Sequence, residues 1–162
     1  MLHDAICARL PHAGRMCLLA HLESWNDDSI TCIATSHRDA DNPLRSNGRL
    51  HAVAGVEYAA QVMALHGNLL SATDTPTAMD GGSAENAGAV FRPPAMGYLA
   101  SVRDLKIDFE DLGAVAEDLR VTAHRLSGDV SGFIYEFEIR AGARMVLSGR
   151  LTAKLMAAGE FT

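Results

Sequence analysis

The chain has 162 residues, nearly half of them apolar (48%) and about a fifth charged (21%), with a formal net charge of -6. That is ordinary for a soluble globular protein and long enough to bury a real core. The acidic balance and the scattering of the basic residues argue against a general nucleic-acid binder.

Three cysteines, Cys7, Cys17 and Cys32, form no CxxC pair and no metal-ligand spacing with histidine. The odd count reads as reduced thiols in a cytoplasmic protein, with no metal expected. The N-terminus, MLHDAICARLPHAG, carries Asp4, Arg9 and Pro11 and lacks the apolar run of a signal peptide. No stretch of about 18 apolar residues is present, so no membrane span is expected.

In chain order, RMCLLAHLESW and SITCIATSH flank the turn signal Asn26-Asp27-Asp28-Ser29 and predict a hairpin of two strands. RDADNPLRSNGR is a loop by composition. GRLHAVAGVEYAAQVMALHG, Gly48 to Gly67, predicts one helix that is apolar on almost every side, with His66 near its end and Gly67 as its stop. A polar, Gly- and Pro-rich stretch at about 68–96 follows, and such loops within one domain are functional or mobile. The remainder predicts strands in series: YLASVRDLKIDFE with Leu99, Val102, Leu105, Ile107 and Phe109 alternating, EDLRVTAHRLS, VSGFIYEFEIRA, and GARMVLSGRLTAKLM with Gly142 in the preceding turn. The order is α+β: a curved antiparallel sheet wrapped around one long central helix would bury that helix, as a single domain over residues 1–162.

Glu57 stands in the middle of the apolar helix. A buried carboxylate is costly unless it is paired, protonated or kept for chemistry. Gln61, four residues on, is its neighbour on the helix surface. Pairing with an arginine and a role in chemistry both fit the spacing.

Three segments, LPHAGRMCLL, GVEYAAQVMALHG and GYLASVRDLKIDF, resemble the hotdog-fold hydroxyacyl-carrier-protein dehydratases over nearly the whole chain, and HRDADNPLRSNGRL followed by EYAAQ resembles their ApeP-like group. The resemblance implies a hotdog fold and dehydration of a 3-hydroxyacyl thioester in a fatty-acid, aryl-polyene or polyketide-like pathway. No cofactor is implied, since the substrate rides on the phosphopantetheine of an acyl carrier protein. The implied partners are that carrier and a second hotdog subunit, in a homodimer or hetero-oligomer. The family's acid maps onto Glu57, and Gly55, Gln61 and Gly97 fall at positions implied to bind substrate. Helix N-terminal N–H groups would polarise the thioester carbonyl.

The family's histidine does not map. It belongs to an H-F-P segment fourteen residues before the acid, and Pro43 stands there. His51 lies about 120° around the helix from Glu57. His37, at the end of the second strand, becomes the expected base, with a loop histidine bonded to Asp39 as the plain reading. His12 reads as packing at the entrance to the first strand. The missing histidine leaves two other readings open: a non-catalytic hotdog subunit that stabilises an active dehydratase, and an acyl thioesterase.

Overall fold

Four strands line up their inward side chains in continuous rows. Cys32 faces Val121, Val121 faces Ile139 and Ile139 faces Leu147. All four side chains are fully buried. The parallel row Ile30–Ala123–Phe137 ends on Gly149, where a Cβ would lie 3.0 Å from the Phe137 ring. A side-chain period of two keeps every second residue on the core face, so Tyr135, Phe137, Ile139 and Ala141 are buried while Glu136 faces out.

The structure is a computed structural model that describes residues 1–73, 97–129 and 131–155. The elements in order are α1 (His3–Cys7), β1 (His21–Trp25), β2 (Ser29–Ala34), α2 (Gly55–Thr73), β3 (Gly97–Ile107), β4 (Leu119–Asp129), β5 (Gly132–Ala141) and β6 (Arg144–Leu155). The sheet is antiparallel throughout, in the order β1-β2-β4-β5-β6-β3. Helix α2 packs against β4, β2 and β5. This is the expected α+β hotdog arrangement, a curved antiparallel sheet around one long helix.

The hairpin β1–β2 forms as the turn signal predicts. Asn26 Oδ1 accepts from the N–H groups of Asp28 and Ser29, which closes the reversal. Gly142 sits at φ +56° between β5 and β6, a conformation glycine takes without steric cost.

The helix departs from expectation at both ends. A 3₁₀ turn, Ala52–Ala54, precedes it, so α2 begins at Gly55 and Glu57 lies in its first turn rather than its middle. The start is fixed from across the fold: Leu112 N–H donates to Leu50 O, and Ala52 N–H to Glu110 O. At the other end the helix runs through Gly67 to Thr73, because Leu65 and Leu69 continue its buried face. His66 is no terminator. It is buried, its Nε2–H donating to Asn26 O at 2.6 Å and its Nδ1 accepting from the Tyr135 hydroxyl at 2.8 Å. The expected loop therefore starts later than residue 68, and the rest of it, 74–96, lies outside the described residues.

The cysteines are not all reduced, as the composition had implied. Cys7 and Cys17 form a disulfide, and Cys32 is the buried free thiol. Burial pushes the Cys32 thiol up to about 12, so it stays protonated and inert. No described helix is long and apolar enough to cross a membrane.

Candidate functional site

Glu57 is paired, and its partner is not an arginine. His12 Nε2 lies 3.0 Å from Glu57 Oε1. The same oxygen accepts a hydrogen bond from Gln61 Nε2, also at 3.0 Å, across one helical turn. Glu57 Oε2 accepts no hydrogen bond from the described residues. Neither side chain is deeply buried: 29% of His12 and 30% of Glu57 is exposed. The apolar face predicted all round the helix is therefore interrupted where α2 begins, and the acid sits in that gap.

Gln61 is what builds the site. It is fully buried, and its carboxamide is spent on the protein itself. Its Oε1 accepts from Leu18 N–H at 2.9 Å, and its Nε2 also donates to Met16 O at 2.6 Å. One side chain thus pins the Met16–Leu18 segment to α2 and orients Glu57. Gln61, expected to bind substrate, here spends both amide hydrogens and its Oε1 on the protein and so positions Glu57.

His12 was expected only to pack. It arrives on the loop between α1 and the 3₁₀ turn Gly14–Met16, and the bridge Cys7–Cys17 closes that loop. Its Nδ1 is buried and without a hydrogen-bond partner in the described structure. With Nε2–H directed at the carboxylate, Nδ1 carries the lone pair. The sequence did hold a signal for this residue, since His12 belongs to one of the three segments that carry the family resemblance.

His37 goes elsewhere. It is fully buried in the 3₁₀ turn Ser36–Arg38, with Nε2 3.1 Å from Val115 O, and no hydrogen bond joins it to Glu57 or Asp39. Burial lowers its pKa below the usual histidine value, and the Arg38 charge beside it adds to that. It is a structural histidine in this geometry. His51 is exposed and forms a bridge with Asp111.

Pro43 lies exposed in a loop that Arg45 ties down, through hydrogen bonds to Asp39 O, Gly48 O and His37 O. Tyr58 OH, bonded to Ser36 Oγ and Asn42 Nδ2, locks that loop to α2. The position of the family's histidine is thus occupied by a proline, in a loop held by these hydrogen bonds.

Gly55 is buried under the sheet. A Cβ there would lie 2.5 Å from Leu147 Cδ2 and 3.0 Å from Ile139 Cδ1, so it serves close packing of the helix start. Gly97 opens β3 at the sheet edge, opposite Leu155. Neither touches the carboxylate.

One group with metal-ligand character exists among the described residues: His3, Cys7 and Cys17 offer atoms within 4.8 Å of one another. Both thiols are consumed in the disulfide. A cavity of about 590 Å³ lies alongside, lined among others by His3, Cys17, Arg15 and Asn42, but by neither His12 nor Glu57. The acid–histidine pair, 30% and 29% exposed, is partly open to the surface of this chain.

No curated protein sequence matches the chain. Among solved structures it is similar to the dehydratase heterocomplex ApeI:P from Xenorhabdus doucetiae, with 20% identity, a TM-score of 0.75, and coverage of 99% of this chain and 94% of that one. It is also similar to a thioesterase mutant from Pseudomonas aeruginosa, at 14% identity and a TM-score of 0.54, covering 84% and 80% of the two chains. A thioesterase from Haemophilus influenzae matches at 13% identity and 0.54, covering 87% and 80%. These likenesses establish the hotdog fold. The model of the ApeP-like family, described as ApeP dehydratase, matches residues 5–157, and the chain belongs to that family.

Proposed function

We propose that the chain dehydrates a 3-hydroxyacyl thioester held on the phosphopantetheine of an acyl carrier protein, with Glu57 as the proton-transferring group. The observation that carries this is the carboxylate itself: Oε1 is held by Gln61 and His12, which leaves Oε2 without a partner among the described residues. Two donors on one oxygen fix the plane of the carboxyl and place any transferred proton on the other oxygen. Such preorganisation is what general acid–base catalysis requires.

In the proposed reaction Glu57 Oε2 removes the proton α to the thioester carbonyl. It then delivers that proton to the β-hydroxyl, which leaves as water, and the double bond forms between the α and β carbons. His12, donating through Nε2–H to Glu57 Oε1, holds the carboxyl in place through both steps. The positive end of α2, which starts two residues before Glu57, is available to stabilise the negative charge of the enolate. His12 replaces His37 as the histidine of the site because it is the one that reaches the acid.

The partial exposure of the pair fits a site completed by a second hotdog subunit. Strand β3 supplies an edge for one: it is the last strand of the sheet and exposes Tyr98, Leu99, Val102 and Ile107. The heterocomplex to which the chain is similar supports a hetero-oligomer over a homodimer. A non-catalytic subunit is the second reading, favoured by Pro43 at the position of the family's histidine and by the covered Nδ1 of His12.

The test is turnover of a 3-hydroxyacyl-carrier-protein to its enoyl product, followed by mass, with and without a co-expressed hotdog partner. Dehydration that requires Glu57 upholds the enzyme reading. Activity seen only with the partner, and equal with Glu57→Gln, overturns it and leaves the stabilising subunit.

A further inference from the structure

We propose that the Cys7–Cys17 disulfide is a redox-controlled tether that holds His12 against Glu57, and that a dithiol reductant releases it. Three observations converge on this. The first is position: the bridged cysteines lie five residues before and five after His12, so the bond closes the loop that carries the histidine.

The second is what else holds that loop: Asn68 Nδ2 donates to Arg9 O, and Arg15 pairs with Asp41 at the exposed surface. Pro11, Ala13, Gly14 and Arg15 are exposed, and Leu10 is the buried side chain between the two cysteines. Cys17 itself is immobilised, because Gln61 grips both its neighbours, at Met16 O and Leu18 N–H. One end of the loop is therefore fixed to α2, and the disulfide fixes the other end to it. Without the bond, the N-terminal side of the loop keeps buried Leu10 and the hydrogen bond from Asn68 Nδ2 to Arg9 O, but the direct tie from Cys7 to the immobilised Cys17 is lost.

The third observation separates this bond from an inert staple. Cys7 is only half-buried, whereas Cys17 is 4% exposed, so an external thiolate can reach the Cys7 sulfur. His3 stands over that sulfur, with Nε2 3.4 Å from Cys7 Sγ. Its Nδ1 lies 2.7 Å from Leu19 O, a pure acceptor, so Nδ1 carries the proton and Nε2 keeps its lone pair. An imidazole lone pair aimed at a thiol is the means of forming the thiolate that drives exchange.

The chemistry balances with a dithiol as the reductant. Its thiolate attacks Cys7 Sγ, the Cys7–Cys17 bond breaks, and Cys17 departs as a thiolate that takes up a proton. The second thiolate of the reductant then displaces Cys7 from the mixed disulfide. Two electrons and two protons pass from the dithiol, which leaves as a disulfide. Oxidation reverses the sequence, with His3 Nε2 accepting the proton of the Cys7 thiol.

The consequence for turnover rests on the proposed function above; the consequence for His12 does not. The experiment uses the wild-type chain, labelled with ¹⁵N-histidine, in its disulfide form and after dithiothreitol or a thioredoxin-type dithiol without denaturant, with alkylation and mass to count free thiols. Reduction is expected to free both thiols and shift the His12 ring resonances toward those of a free imidazole, while those of buried His66 stay in place. Turnover should fall about tenfold to a hundredfold, the cost of a misplaced catalytic partner, and return on reoxidation. Cys7→Ser should show the reduced-state values in either buffer, and His3→Asn should slow reoxidation. The proposal is overturned by unchanged His12 resonances after reduction, or by a bond that resists the dithiol until the protein is unfolded. Absence of turnover in both redox states would defeat the dehydratase reading alone, and the His12 resonances would still decide the tether.

Discussion

His12 Nε2 and Glu57 Oε1 meet at 3.0 Å although 45 residues separate them in the chain. The contact joins the entrance to β1 with the first turn of α2, and Gln61 sits behind it holding both. The candidate chemistry of the chain follows from that three-residue arrangement, because it decides which oxygen of the acid is free.

The first prediction concerns that oxygen. Glu57→Gln preserves shape, and a rotated carboxamide oxygen can still accept from Gln61 and His12. The fold should keep its stability to within about 0.5 kcal/mol, as for most half-exposed positions. Dehydration of the carrier-bound substrate should fall by about 10²–10⁴-fold, the usual worth of a general acid or base. His12→Asn should lower the rate less and displace its pH profile, since His12 acts through the carboxylate. Equal rates for the Glu57→Gln and wild-type proteins would remove Glu57 from the reaction.

Gln61 should matter for stability as well as activity. Gln61→Leu keeps the volume but strips the partner from Leu18 N–H and Met16 O. A buried backbone group left unpaired costs about 1–3 kcal/mol. Urea unfolding should show a loss of that size, with turnover reduced in the folded protein because Oε1 has lost a donor. Unchanged stability would mean that the Met16–Leu18 segment is held by other contacts.

What the sequence made legible, and what it did not, divides along physical lines. Strand β5 was readable because its alternation is strict: Tyr135, Phe137 and Ile139 point in and Glu136 points out. Strand β3 was placed correctly, but of its alternating apolar residues Leu105 packs against the core while Leu99, Val102 and Ile107 stay exposed. Register shifts at Leu99/Ser101 and Arg103/Lys106 change the parity along the strand, and Asp104 takes φ +53° between the second pair. Such bulges leave no trace in composition. The acid was legible because a lone carboxylate in an apolar helix is anomalous. Its histidine lay in a segment of the family resemblance, but the pairing itself was not legible, because it depends on a loop closed by a disulfide and held by Gln61. Proximity in sequence pointed to His37, whereas the fold turns His37 inward onto Val115 O.

Acid should destabilise the fold before the carboxylates titrate. Burial lowers the pKa of His37, with the Arg38 charge acting the same way. Burial also lowers that of His66, and the Arg125 charge adds to it, against the pull of the Asn26 carbonyl. Both rings stay neutral in the folded protein at pH values where the unfolded chain, with an ordinary value of 6.5, is taking up protons. The unfolded state then binds more protons, so the free energy of unfolding falls as the pH drops through 6.5, until the lowered native values are reached. Urea unfolding at pH 7.5 and 5.5 should show lower stability at the acid end, with an unchanged slope against denaturant. A flat or rising profile would contradict the assignment of these two histidines as buried and neutral.

The exposed face of β3 makes the last prediction. Ile107 sits opposite Leu147, and Val102 opposite Leu151, yet the inner members of these pairs are fully buried while Ile107 is 46% and Val102 38% exposed. The cause is that α2 covers β2, β4 and β5 and stops short of the last strand. Tyr98 and Leu99 extend the apolar surface along the same edge. An uncovered edge strand with large apolar side chains is a template for pairing with another chain. Val102→Asp together with Ile107→Lys should therefore abolish assembly, whether with a second copy or with a co-expressed hotdog subunit, as read by light scattering and co-purification. Because these side chains are exposed in the isolated chain, each change should alter its unfolding free energy by no more than about 0.5 kcal/mol. If the double variant instead unfolds while assembly of the remaining folded fraction is intact, β3 belongs to the core of this subunit and the partner docks elsewhere.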